Sequence, residues 1–191
     1  MKKFSVIIIL VLISISCKEK TFEKEISKLE IAKSYYKCLD NSDVSGIATI
    51  LNDSLFTKET EYDYEQTFSL EEYVEWVKWD SVFEPTYKIL QVKQEGEIVK
   101  ARISKTDKRV LFLHEEPIVT NQVIRFHMDK ISSIETTKYV IFNDTTFIRN
   151  RNRFLNWIDE NHPELKGFIH DQTKNGGLKY LKAIDLFKKE N

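Results

Sequence analysis

The chain has 191 residues, the length of one domain or of one domain with an appendage. Its formal charge of -1 supplies no field that would recruit nucleic acid or an anionic membrane surface. A hydrophobic content of 41% supports a buried core, and 5 Gly and 3 Pro exclude a chain dominated by disorder or long linkers.

The chain opens with a targeting pattern. Lys2-Lys3 is followed by an apolar run from Phe4 to Ile15 that ends at Ser16-Cys17. A spanning helix needs about 18 apolar residues or more, so this run is the length of a signal h-region. Ser14-Ile15-Ser16-Cys17 resembles the bacterial lipoprotein cleavage box; the alternative is an ordinary cleaved signal peptide. The resemblance implies that Cys17 carries lipid and begins the mature protein, with more than one acyl chain for stable anchoring. It implies a cell-envelope protein whose partner is the lipid bilayer, in the outer membrane or at the cell surface if the host is Gram-negative. Residues 1–17 are thus the signal and 18–24 a polar tether. With Cys17 lipidated, Cys38 has no disulfide partner and reads as a small buried hydrophobe rather than a nucleophile.

Apolar residues at Ile26, Leu29, Ala32, Tyr36 and Leu39, widened by Tyr35 and Cys38, have helical spacing. Asp40-Asn41-Ser42 breaks this helix. A shorter one runs from Val44 to Leu51, and Asn52-Asp53-Ser54 stops it. Leu55 to Phe68 is a strand pair, with Tyr62, Tyr64, Gln66 and Phe68 on one face. Ser69-Leu70-Glu71-Glu72 is a capping box that opens a third helix running to about Phe83. Its inner stripe is Leu70, Tyr73, Val74 and Val77, beside an aromatic stripe of Trp76, Trp79 and Phe83. That stripe is either core or ligand lining. Strands are expected at Tyr87–Gln94 and Ile98–Lys105, turning at Glu95-Gly96-Glu97, and at Val119–Met128 and Ile131–Phe142, turning at Asp129-Lys130. Between the pairs lies a short apolar piece, Val110 to Leu113. Asn143 caps a fourth helix that His162-Pro163 closes. Asn175-Gly176-Gly177 precedes a last amphipathic helix.

Tyr35 to Ile47 and Phe126 to Ile131 carry a resemblance to the NTF2-like superfamily, which includes SnoaL-like and ketosteroid-isomerase-like domains. The first stretch matches its aromatic, apolar, polar-turn and Asp pattern; the second matches its late hairpin. The resemblance implies an α+β cone over residues 25–143, with N-terminal helices packed on a curved antiparallel sheet. Residues 144–191 form a helical C-terminal extension outside it. Members of this superfamily bind, assemble or catalyse on one frame, so the fold leaves function open.

The same resemblance supplies site candidates. Aligned to ketosteroid isomerases, Tyr35 falls at the oxyanion tyrosine, Glu59 near the general base, and Gln122 where those enzymes keep a protonated acid. Such a site would remove a proton alpha to a carbonyl and stabilise the enolate in a dry pocket. The competing reading makes Tyr35 a core tyrosine and Glu59 a solvated turn residue. Tyr36, Trp76, Trp79, Ile124 and Phe126 are expected to line the cone. The expectation is non-catalytic binding of a small apolar or mixed ligand, or docking of an envelope partner, with isomerase- or lyase-type catalysis as the alternative. No cofactor and no metal are expected: His114, His127, His162 and His170 are scattered singles that read as solvated surface. The chain has no G-x-S-x-G, P-loop or G-x-G-x-x-G pattern, and Arg149, Arg151 and Arg153 do not share a helix face, so no nucleic acid is expected. A homodimer through the sheet is implied by the resemblance alone.

Overall fold

The computed structural model describes residues 27–190; the signal, Cys17 and the tether lie outside the described residues. Helix α1 (Lys28–Asp40) starts where the Ser27 hydroxyl accepts from the Glu30 amide at 3.3 Å. It buries Ile31, Ala32, Tyr35, Tyr36 and Leu39 as one stripe. Helix α2 (Val44–Ile50) is capped by Asp43, whose carboxylate accepts from the Gly46 amide at 2.9 Å. A Cβ on Gly46 would lie 2.4 Å from Asp43 Oδ2 and 2.6 Å from Cys38 Sγ, so a side chain there would push both side-chain ends aside.

Strand β1 (Leu51–Glu59) begins where the sequence suggested a helix end and a stop. Leu51 pairs with Ile131 of β6 (Lys130–Ile141), and a bulge absorbs Asn52-Asp53-Ser54 before regular pairing resumes at Phe56. Long-range pairing has overridden local turn chemistry. A short 3₁₀ turn at Thr60–Tyr62 and a left-handed Asp63 lead into β2 (Tyr64–Ser69). The Ser69–Glu72 capping box then opens α3 (Leu70–Ser81). Strands β3 (Thr86–Glu95) and β4 (Ile98–Thr106) turn through Gly96 at φ +59, a backbone that favours glycine. The apolar piece at Val110 to Leu113 is a helix, α4 (Lys108–Leu113). Strand β5 (Ile118–His127) joins β6 through Met128-Asp129, one residue earlier than expected. Both turn residues have positive φ, as a type I′ hairpin turn requires.

The six strands form one sheet in the order β2-β1-β6-β5-β4-β3. All neighbours are antiparallel except β1 and β6, which run parallel. Three register shifts between β5 and β6 bend the sheet. The curved sheet packs around α1 and α3, and the first core lies between them. A second core lies beyond the end of α3. There α5 (Asp144–Asn161) and α6 (Lys174–Glu190) pack Phe154, Ile158, Tyr180, Ile184 and Phe187 against Trp79, Phe83 and Leu113. Trp76 touches both cores. Gly176-Gly177 is not a turn before the last helix. Both residues lie inside α6, where backbone approaches too closely for a side chain: a Cβ on Gly176 would sit 1.9 Å from the Asp171 carbonyl oxygen.

Candidate functional site

The cone holds a part-open cavity of about 280 Å³ between α1, α3 and the concave face of the sheet. Its wall combines Tyr35 and Tyr36 of α1, Trp76 of α3, Tyr87 of β3, Lys105 of β4, Arg109 of α4, Gln122 of β5, Tyr139 of β6 and Glu59 of β1. A larger groove of about 450 Å³ lies in front of it, beneath Phe147 and Ile148 of α5. The two share Glu59, Arg109, Val110, Ile118 and Tyr139, so Glu59 and Arg109 stand where groove meets cavity.

Two polar networks build the wall. The first is uncharged. The Tyr35 and Tyr73 hydroxyls share a short hydrogen bond. Tyr36 donates to Gln122 Oε1 at 2.7 Å, and Gln122 Nε2 donates to Thr136 Oγ1 at 3.4 Å. Burial pushes the Tyr35 and Tyr36 phenols well above their ordinary range, so both stay protonated at neutral pH. At the junction with the groove, Tyr139 donates to Glu59 Oε2 at 2.8 Å. Burial, then the Glu59 charge, raises the Tyr139 phenol.

The second network is ionic. Asp80 and Asp107 are each only 2% exposed. Lys105 reaches Asp80 at 2.5 Å and Asp107 at 3.5 Å, and Tyr87 donates to Asp80 Oδ2 at 2.8 Å. Asp107 Oδ1 caps α4 by accepting from the Val110 amide at 2.5 Å. Arg109 lies 3.7 Å from Asp107 Oδ2 and stacks over Trp79 and Phe83, at 4.7 and 5.4 Å from the ring centres. Lys105 stands over Tyr87 and Trp76 at 4.9 and 5.5 Å. Burying these charges is tolerable only because each has an opposite charge or an aromatic face beside it.

Comparison with solved structures places this architecture. An NTF2-like protein of unknown function from Cytophaga hutchinsonii superposes with a TM-score of 0.50 at 11% identity, covering 66% of this chain and 98% of that one. The fold is NTF2-like. An LEH-like epoxide hydrolase from M. tuberculosis matches with a TM-score of 0.49 at 12% identity, over 66% of this chain and 90% of its own. A protein with a ketosteroid isomerase-like fold from Catenulispora acidiphila matches with a TM-score of 0.46 at 12% identity, over 58% and 86%. No family model matches the sequence, and no curated relative does.

Within the NTF2-like cone, Glu59, Tyr35 and Gln122 all line the one cavity. Each also has a protein hydrogen-bond partner. Of the expected lining, Tyr36 and Trp76 reach the cavity. Trp79, Ile124 and Phe126 do not line it. Trp79 belongs to the second core and backs Arg109 from behind. Ile124 is fully buried in the first core, and Phe126 packs against that core further along β5. Cys38 is half-buried and donates weakly to Asp43 at 3.9 Å; burial and then the Asp43 charge push its thiol up.

Lys105, Arg109, Tyr87 and Tyr139 were missed as site residues. The strand residues alternate with outward-facing neighbours and carry no local mark. Asp80 did leave a signal: it follows Tyr73 and Val77 on the buried stripe of α3, and an acid on such a stripe needs a buried cation. His114, expected at the surface, is 2% exposed. Its Nε2 accepts from the Asn143 amide at 2.7 Å, so Nδ1 carries the proton and donates to the Glu116 carbonyl at 2.8 Å. It ties α4 to the start of α5. Among the described residues, no three His, Cys, Asp or Glu side chains are grouped to hold a metal ion.

Proposed function

We propose that this protein binds a small ligand with an aromatic or apolar body in the cone, without transforming it, at the cell envelope. The observation that carries the reading is the cavity wall. The rings of Tyr35, Tyr36, Trp76, Tyr87 and Tyr139 surround one space, while Gln122, Tyr36 and Glu59 are already hydrogen-bonded to protein. Such a site offers stacking area and fixed polar groups, the common make-up of a ligand pocket. The envelope address rests on the signal pattern, with Cys17 as the lipid-bearing residue. The mature chain titrated with 2-naphthamide should show amide shifts in the two-dimensional NMR spectrum at residues around the cavity, and Trp76→Ala should weaken binding several-fold. Shifts confined to the outer sheet surface would sink the reading. Labelled palmitate should enter the full chain and be lost in Cys17→Ser.

A second reading, proton abstraction alpha to a carbonyl, is favoured by one observation. Either hydroxyl can donate in the Tyr35–Tyr73 pair, and with Tyr73 as the donor the Tyr35 proton is left for a ligand oxygen. Glu59 shares that cavity. The two readings part on 2-tetralone in heavy water. Deuterium uptake above the buffer rate that disappears in Glu59→Gln would establish catalysis. Uptake at the buffer rate with 2-tetralone bound leaves the site a binder.

A further inference from the structure

Arg109 is the least satisfied charge in the cavity wall. Among the described residues its one nearby carboxylate, Asp107 Oδ2, lies at 3.7 Å, beyond hydrogen-bond reach, and its Nε is buried without a partner. That Nε is shut off from the cavity, so what a ligand meets is the remaining edge of the guanidinium, on a side chain 25% exposed. Trp79 and Phe83 hold the guanidinium against their faces, and the side chain lines both the cavity and the groove. Lys105 differs: Asp80 already holds it at 2.5 Å.

We infer that Arg109 is an anion anchor, and that the cone's ligand is a monoanionic carboxylate on an aromatic or apolar body. The inference rests on the reading of the cavity as a ligand site and adds the sign and place of the ligand's charge. A planar guanidinium fixed on an aromatic face is pre-organised to take a carboxylate through two parallel hydrogen bonds. The rings of Tyr35, Tyr36, Trp76 and Tyr87 take the body. Asp80 and Asp107 do not oppose this from the wall, because neither lines the cavity. Asp80 is taken up by Lys105 and Tyr87, and Asp107 Oδ1 by the α4 cap, while Asp107 Oδ2 stands behind both cations, 3.5 Å from Lys105 and 3.7 Å from Arg109. Glu59 does line it, at the junction with the groove, and its charge disfavours a second negative group on the ligand.

The test is calorimetric titration of the mature chain with 2-naphthoate and with its neutral isostere 2-naphthamide. The wild type should bind the naphthoate about tenfold tighter or more. Arg109→Gln should bring the naphthoate down to the amide's affinity and leave the amide's affinity in place. If the wild type binds both alike, or if Arg109→Gln keeps the preference, the anchor is refuted while the cavity stands as a ligand site. If neither probe binds, the ligand-site reading itself fails. Should Arg109→Gln not fold, two measurements still decide. Arg109→Lys should keep only part of the preference, and salt should shrink the wild-type preference without moving the amide's affinity. A preference indifferent to both overturns the assignment.

Discussion

At the scale of single residues, burial decides roles that local sequence hides. His114 follows the apolar piece Val110 to Leu113 but stands before two glutamates, which read as solvent-facing. The mark of its burial lies at Asn143, whose amide needs an acceptor at the entrance to α5 and finds Nε2. His114→Phe would keep the stack on Phe142, whose ring centre is 5.1 Å away. It would strip the amide of its acceptor and the Glu116 carbonyl of its donor. The expected loss is about 1–3 kcal/mol, read as a lower urea midpoint at unchanged slope. Tyr35 and Tyr36 show the opposite case. They were legible as neighbours on one apolar stripe, and both face the cone because adjacent residues on a helix diverge by only about 100°. Their partners Tyr73 and Gln122 come from elements far along the chain, which no local pattern names.

At the scale of elements, caps were legible and close packing was not. The box at Ser69 could be read directly, because its reciprocal bonds depend on four consecutive residues. Ser69→Ala should cost about 1 kcal/mol. It should also change the acid limb of stability. The Ser69 amide and hydroxyl hold the Glu72 carboxyl below its usual range. A depressed carboxyl stabilises the fold above its unfolded range and loses that contribution as pH falls through the folded value. The wild type should therefore lose melting temperature on acidification more steeply than Ser69→Ala. Glu135, depressed by Arg125 and Thr60, titrates in the same direction and should do so in both proteins. The Gly-Gly pair in α6 misled because glycine is the residue of turns and of tight helix contacts alike. Gly176→Ala would press on the Asp171 backbone and should destabilise by about 1–3 kcal/mol, although alanine is the better helix former. A stabilised variant in thermal melts would show that the contact can open.

At the scale of the whole molecule, the helical extension is part of the fold rather than an appendage. Trp79 lies in the last turn of α3 and Phe83 just beyond its end, yet both pack on residues of α5 and α6. Arg109 depends on the faces of those two rings, so the extension reaches the cavity wall through them. A chain ending at Asn143 would expose both aromatics and part of α4. It should lose cooperative unfolding and bind a hydrophobic dye; a sharp native-like melt would show that the first core stands alone. The cone itself was legible, since helices and hairpins each carry a local period. The partnership between β1 and β6 was not, because parallel neighbours leave no turn to announce them. That partnership also sets a clock. Glu59 and Tyr139, bonded across it, lie 80 residues apart. The β1–β2 hairpin and the β3-to-β6 meander can each form early, but they join only when a long loop closes. The seam where Leu51 meets Ile131 should therefore close late in folding. Until it closes, β1 presents an open strand edge, and the charges of Lys58 and Glu59 keep other chains from adding to it.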